Sequence, residues 1–481
     1  MLRRLSLALA VATATAGMAW AEEPIQADKS GLVGVYQEAV KNNADLAVAR
    51  ANYGAISEVV PQARAGLLPN LSAGADATNT NTKVDTRLPD DVDAERSGLS
   101  YRATLSQPLF RADRWFQYQA AKATNEQASL SLSATEQNLI LQSAETYFAV
   151  LRAQDLLAST KAEEAAFKRQ LDQANERFDV GLSDKTDVLE AQAGFDTSRA
   201  NRIIAERNVQ DAFQALVTLT NHEYSYIEGI QHTLPILAPV PNDAKAWVDT
   251  AAQQNLNLQA SNYAVDAAED TLRQRKSGHA PTLDAIAQVE KGDNDSLGFS
   301  NSDVSQPYNG DAEQTTIGLQ LNIPIYSGGL TSSQVREAYQ RLEQSEQERE
   351  SLRRQVVENT RNLHRAVNTD VETVQARKQS IISNQSALEA TEIGYQVGTR
   401  NIVDVLDAQR QLYSSVRNYN DARYDYILNN LRLKQAAGTL APSDLDALSS
   451  FLKPDYNPDT DFLPPDLARA AEAQLKGNTD Y

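Results

Sequence analysis

The sequence predicts a mixed α and β chain in which one plan is used twice: a helix, two strands, a long helix, a turn and a further helix. Three observations carry this prediction. Arg177–Gln192 recurs 217 residues later as Gly394–Gln409, with Val180, Gly181, Asp187, Val188, Leu189, Ala191 and Gln192 repeated as Val397, Gly398, Asp404, Val405, Leu406, Ala408 and Gln409. No proline lies between Pro108 and Pro235 or between Pro324 and Pro442, and both intervals are made of strong helix formers. Four other segments alternate apolar and polar residues, the period of a strand with one dry and one wet face.

Residues 1–21 read as a secretory signal peptide. Arg3 and Arg4 supply the positive start, Leu5–Ala16 the apolar run, and Ala19-Trp20-Ala21 the cleavage site, so the mature chain is expected to begin at Glu22. The first repeat, 22–230, is expected to hold a helix over 28–66, strands over 69–80 and 98–110, a long helix over 111–178 and a helix over 184–222. The second, 231–440, is expected to hold a helix over 241–278, strands over 281–291 and 313–326, a long helix over 328–396 and a helix over 401–438. Asn43 and Pro69 correspond to Asn255 and Pro281, and Leu105–Phe110 to Leu321–Tyr326. The acidic tail 441–481 contains Pro454, Pro458, Pro464 and Pro465 and is expected to lack regular structure.

A helix over 111–178 would be about 100 Å long at 1.5 Å per residue, more than an ordinary globular domain needs. The second long helix carries coiled-coil spacing. Val335, Leu342, Val356 and Leu363 share one heptad phase; Val367, Val374, Ile381, Leu388 and Tyr395 share another, shifted by a stutter that relaxes supercoiling.

The strands place Leu71, Ala73, Ala75 and Ala77, then Leu99, Tyr101, Ala103 and Leu105, on one face each. Leu283, Ala285, Ala287 and Val289, then Ile317, Leu319, Leu321 and Ile323, repeat the pattern. About ten residues per strand with this alternation is the pattern of an outer-membrane barrel wall, and equally of a surface sheet in a soluble domain. After the leader, no stretch approaches the roughly 20 apolar residues of a spanning helix, so a membrane crossing must use strands. Four strands cannot close a barrel and open edges are not tolerated in lipid, so several chains must share one. Acidic loops are expected between the strands, with Asp85, Asp90, Asp91, Asp93 and Glu95 in the first hairpin and Asp293, Asp295, Asp303, Asp311 and Glu313 in the second.

The net charge of −19 disfavours nucleic acid as a partner, since phosphate binding wants a basic face. The absence of cysteine excludes disulfides, thiol nucleophiles and Cys-ligated metals. His222, His232, His279 and His364 have no zinc-helix spacing, and no phosphate loop or nucleophile motif is present. No cofactor and no enzymatic activity are expected.

Asn322-Ile-Pro-Ile-Tyr-Ser-Gly-Gly329 and Gly394–Ala408 are the most specific stretches, supported by Arg169–Gln173, Arg177–Val188 and Ala437–Leu440. On these the chain resembles the TolC family of outer-membrane efflux proteins over about Leu32 to Leu448. The resemblance implies a homotrimeric channel-tunnel, with four strands per chain in one 12-stranded transmembrane β-barrel and a long α-helical coiled-coil tunnel in the periplasm. It implies a Gram-negative outer-membrane location with the barrel in lipid. The tunnel would dock an inner-membrane pump of RND, ABC or MFS type through a periplasmic adaptor, for multidrug efflux or type I secretion of proteins. Residues carry over as follows. Asp404 and Asp407 match an acidic ring at the pore entrance; they stand three apart on one helix face, and three copies would favour cations. Thr186, Asp187, Tyr395 and Arg400 match a latch, read physically as an Arg–carboxylate bond with a tyrosine hydroxyl bond. Gln170 and Glu392 match an inter-protomer link. Val180, Gly181 and Leu182, with Val397, Gly398 and Thr399, match tips that contact the adaptor. A passive porin-like channel would explain the strands but not the long duplicated helices. A structural periplasmic coiled-coil adaptor would explain the helices but not the strands.

Overall fold

The computed structural model describes residues 29–84, 92–293 and 311–464. Residues 1–28, which include the expected signal peptide, and residues 85–91, 294–310 and 465–481 lie outside the described residues. In chain order the first half comprises β1 (Lys29–Ser30), α1 (Leu32–Asn42), α2 (Ala44–Ser57), α3 (Val59–Ala65), β2 (Asn70–Val84), β3 (Val92–Phe110), α4 (Ala112–Asp179) and α5 (Lys185–Thr220). Then come β4 (Tyr226–Ile227), β5 (Gly229–Ile230), α6 (Ala244–Gln254), α7 (Leu256–Lys276), β6 (Thr282–Asp293), β7 (Asp311–Asn322), α8 (Leu330–Gln396) and α9 (Ile402–Ala436). The chain ends in α10 (Pro442–Ser449), β8 (Leu452–Lys453) and α11 (Pro458–Asp461).

Local chemistry explains where the elements depart from expectation. The single helix expected over 28–66 is three. Asn43 is extended, and its side chain accepts from the Leu46 amide, ending α1 and capping α2. Pro61 has no N–H to give to Ser57, and the chain breaks again at Glu58. The helix expected over 241–278 is likewise two, because Asn255 accepts from the Leu258 amide and caps α7. The strands reach beyond the expected ends, which puts Asp93, Glu95, Asp293, Asp311 and Glu313 in strands rather than loops; Asp85, Asp90, Asp91, Asp295 and Asp303 lie outside the described residues. The strand expected over 313–326 stops at Asn322, before Pro324.

β2, β3, β6 and β7 form one antiparallel sheet in that order. Its register matches apolar with apolar: Leu71 opposes Leu105, which opposes Ala287, which opposes Ile317. Leu71, Tyr101, Ile317, Leu319 and Leu321 are all exposed, so among the described residues nothing covers this apolar face. The other face is polar; Arg102 pairs with Glu290 at 2.6 Å, and Thr104 opposes Gln288. Among the described residues, β2 and β7 are open edges. Among the described residues, no helix is long and apolar enough to cross a membrane.

Away from the sheet the helices pack lengthwise. α4 lies against α5, α7 and α9, and α8 against α9, α7 and α6. On α8 the second heptad phase is buried throughout (Val367, Val374, Ile381, Leu388 and Tyr395), whereas only Val356 of the first phase is.

The main core wraps the middle of α4. Tyr147, Phe148 and Leu151 pack there with Leu32 and Val35 of α1, Tyr424 and Ile427 of α9, and Leu452, Tyr456 and Phe462 of the tail. The tail thus has regular elements that its proline-rich composition hid. β5 pairs with β8, and β1 with β4. Asn420 of α9 donates to the Phe462 carbonyl at 2.9 Å. Buried Asp155 accepts from the Tyr424 hydroxyl at 2.7 Å and from the Tyr456 hydroxyl. Burial lifts the Asp155 carboxyl to about 6 although both phenols pull it down.

Candidate functional site

The predicted site residues gather where the two long hairpins turn. α4 passes to α5 through Val180-Gly181-Leu182, and α8 to α9 through Val397-Gly398-Thr399. Gly181 and Gly398 have φ of +78° and +79°, the left-handed region that ends a helix at low cost for glycine. The amides donate the same pair of hydrogen bonds in each: Gly181 to Phe178 O and Leu182 to Arg177 O, Gly398 to Tyr395 O and Thr399 to Gly394 O. Val180, Leu182 and Val397 stand 70%, 70% and 69% exposed, so both tips hold apolar side chains out to solvent.

Behind the tips the hairpins meet. Phe167 of α4 is buried among Leu388 and Tyr395 of α8 and Ile402, Val405 and Leu406 of α9. Gly194 lets α5 close on α4 at this point, since a Cβ there would stand 2.7 Å from the Phe167 ring. Two guanidinium–ring contacts cross the seam in opposite senses. Arg177 of α4 lies over the Tyr395 ring, 4.7 Å from its centre, and Arg410 of α9 over the Phe167 ring at 5.6 Å.

Asp404 and Asp407 are on the first turns of α9. Asp404 also closes a capping box: its amide donates to Asn401 Oδ1 at 2.8 Å, and the Asn401 amide donates to Asp404 Oδ2 at 3.2 Å. Arg400 Nη1 lies 4.0 Å from Asp404, and Asp407 binds Arg410. Of the expected latch, Tyr395 is buried beside Asp187, whose charge raises the phenol further; burial is the larger cause, and Arg177 opposes both. The Tyr395 hydroxyl has no hydrogen-bond partner among the described residues. Asp187 accepts from Ser183 Oγ at 3.0 Å, and within one chain Arg400 binds neither Thr186 nor Asp187. Gln170 Oε1 is buried with no hydrogen-bond partner among the described residues. Burial raises the Glu392 carboxyl, Glu389 adds to this, and Arg169 counters it.

Sequence reasoning missed Arg177, Arg410 and Asn401 as tip residues. Asn401-x-x-Asp404 was readable as a capping box; nothing local marked the two arginines as partners of distant rings.

The family model for outer membrane efflux proteins matches residues 35–222 and 247–439, one match in each repeat. The chain belongs to the outer membrane efflux protein family. Among relatives of this efflux protein, the outer membrane protein TolC of Vibrio cholerae is 37% identical over 88% of this chain and 94% of its own length. TolC of Escherichia coli is 34% identical over 88% of this chain and 85% of its own. The alkaline protease secretion protein AprF of Pseudomonas aeruginosa is 27% identical over 87% of each. In fold, the efflux protein matches CusC with a TM-score of 0.73 at 16% identity, over 85% of this chain and 92% of that one. It matches VceC of Vibrio cholerae at 0.72 and 16%, over 85% and 96%. The fold is that of the channel-tunnels. This efflux protein belongs to a family of transport proteins and is an exit duct of the Gram-negative outer membrane with a periplasmic tunnel.

Proposed function

We propose that three copies of this chain form one duct, with twelve strands in the outer membrane and a helical tunnel gated at its periplasmic end. The carrying observation is the four-stranded sheet, with its uncovered apolar face and two open edges, joined to helices of 68 and 67 residues. Lipid does not tolerate an open edge, so β2 of one copy pairs with β7 of the next. In this reading Asp404 and Asp407 form the acidic entrance ring, where mutual repulsion opposes full ionisation. Thr186, Asp187, Tyr395 and Arg400 latch the tips, Arg400 finding Thr186 and Asp187 through assembly, and Gln170 with Glu392 adds an inter-protomer link. Val180, Gly181, Leu182, Val397, Gly398 and Thr399 receive a periplasmic adaptor, which joins the duct to an inner-membrane pump of RND, ABC or MFS type. Drugs or secreted proteins pass outward. The relation to AprF and to the TolC proteins supports export through such assemblies.

Single-channel recording of the purified protein in a planar bilayer tests this. Wild type is expected to show a small, cation-selective conductance. Asp404→Ala/Asp407→Ala should weaken the selectivity, and Asp187→Ala/Arg400→Ser should enlarge the conductance. A wide-open wild type that neither double variant changes would favour a porin-like channel. Folded protein without any conductance would favour a structural adaptor.

A further inference from the structure

We propose that Arg177 is a gate-positioning residue: its guanidinium clamps the face of the Tyr395 ring and holds the two hairpin tips of one protomer together in the closed entrance. This rests on the reading of the tips as a gate and assigns a residue that the latch does not contain.

The geometry separates two ways of holding Tyr395. A hydroxyl bond needs an acceptor, and the buried hydroxyl has none among the described residues. The ring face does have a partner, the Arg177 guanidinium at 4.7 Å. A cation over a tyrosine face is attracted by the ring quadrupole, and more so when partly desolvated, as Arg177 is here. Arg177 sits in the last turn of α4, where the helix dipole also favours a cation, and its own carbonyl accepts the tip-closing bond from Leu182 at 2.7 Å. The charge is therefore held at a fixed place on a rigid helix end. Tyr395 sits in the last turn of α8, so the contact ties one hairpin to the other. Arg400 does not do this within the chain: it turns back on its own tip, its Cγ over Gly394 and its guanidinium toward Asp404. Arg410 over Phe167 braces the same seam from the opposite side. Such a clamp suits a gate because it needs no directional bond. The ring slides from under the guanidinium without leaving a broken hydrogen bond.

Planar-bilayer conductance of the purified full-length protein tests the clamp, with thermal unfolding and circular dichroism as checks on folding. Arg177→Gln and Tyr395→Leu should each raise the mean conductance about threefold to tenfold, the effect of losing one cation–ring contact. Tyr395→Phe keeps the face and loses the hydroxyl; it should stay close to wild type. Arg177→Lys keeps a cation and should fall between wild type and Arg177→Gln. The double variant Arg177→Gln/Tyr395→Leu should open no further than either single variant, since both remove the same contact. If Tyr395→Phe opens the channel as far as Tyr395→Leu while Arg177→Gln leaves it unchanged, the hydroxyl holds the tip and the clamp is wrong, with the gate itself intact. If a conducting wild type is altered by none of the four single variants while Asp187→Ala/Arg400→Ser opens it, the clamp is wrong and the gate stands; if that double variant is silent too, the gate reading fails and takes the clamp with it.

Discussion

At the α4/α5 tip, position 177 is an arginine that reaches across to the other hairpin; at the α8/α9 tip the equivalent position is Gly394, over which Arg400 folds. At the start of α5, Asp184 makes no side-chain cap; at the start of α9, its counterpart Asn401 completes a capping box with Asp404. Phe178 is exposed, whereas Tyr395, its counterpart, is buried. Both tips keep the same glycine turn. The difference teaches that duplication preserved the turn and divided the labour. The second tip is closed upon itself, and the first lends its side chains outward.

Six substitutions sharpen or break this contrast, read by amide hydrogen exchange at the tips, by thermal unfolding and, for the last, by cation selectivity. Gly194→Leu should act most strongly, costing about 2–3 kcal/mol by overpacking against Phe167, which forces α5 off α4 and displaces the ring around which the seam is built. Exchange as slow as in wild type would show that the seam does not depend on that approach. Next, Gly181→Ala and Gly398→Ala should each cost about 1–2 kcal/mol, and by equal amounts, because the turns are alike. Unequal losses would break the shared half of the comparison. Asn401→Ala should cost about 1 kcal/mol through loss of its cap, while Asp184→Ala should change stability by less than about 0.5 kcal/mol. A loss at Asp184 that matches the one at Asn401 would erase the contrast. Smallest is Asp407→Asn, whose exposed pair with Arg410 is worth only about 0.2–0.5 kcal/mol. It should leave exchange unchanged yet weaken cation selectivity, and retained selectivity would remove Asp407 from the pore.

Much of the fold was legible because its signals are long or repeated. Two proline-free intervals announced the long helices, and apolar alternation announced the sheet. The breaks at Asn43 and Asn255 were hidden inside good helical composition, since a single asparagine side chain decides between continuing a helix and capping a new one. At the site, the spacing of Asp404 and Asp407 was visible, but the first aspartate's capping bond was overlooked. Arg177 and Tyr395 are joined by a contact between separate hairpins, and no local period encodes such a contact. The tail misled for a related reason. Its prolines and acids dominate the composition, while Leu452, Tyr456 and Phe462, which bury themselves, are few.

Those few residues also govern when the molecule can finish folding. The Tyr456 ring lies so close over Gly229 that a Cβ there would fall 2.0 Å from it, and its hydroxyl closes on Asp155. The same core begins at Leu32 and ends with Phe462. Leu32 and Phe462 are far apart in the chain, so this core cannot close until the segment that carries Tyr456 and Phe462 is present. A product cut short before Tyr456 leaves Asp155 short of a donor and the face of α4 open. The segment Leu452–Phe462 thus serves as a check on length: only a chain that reaches Phe462 can shut this core.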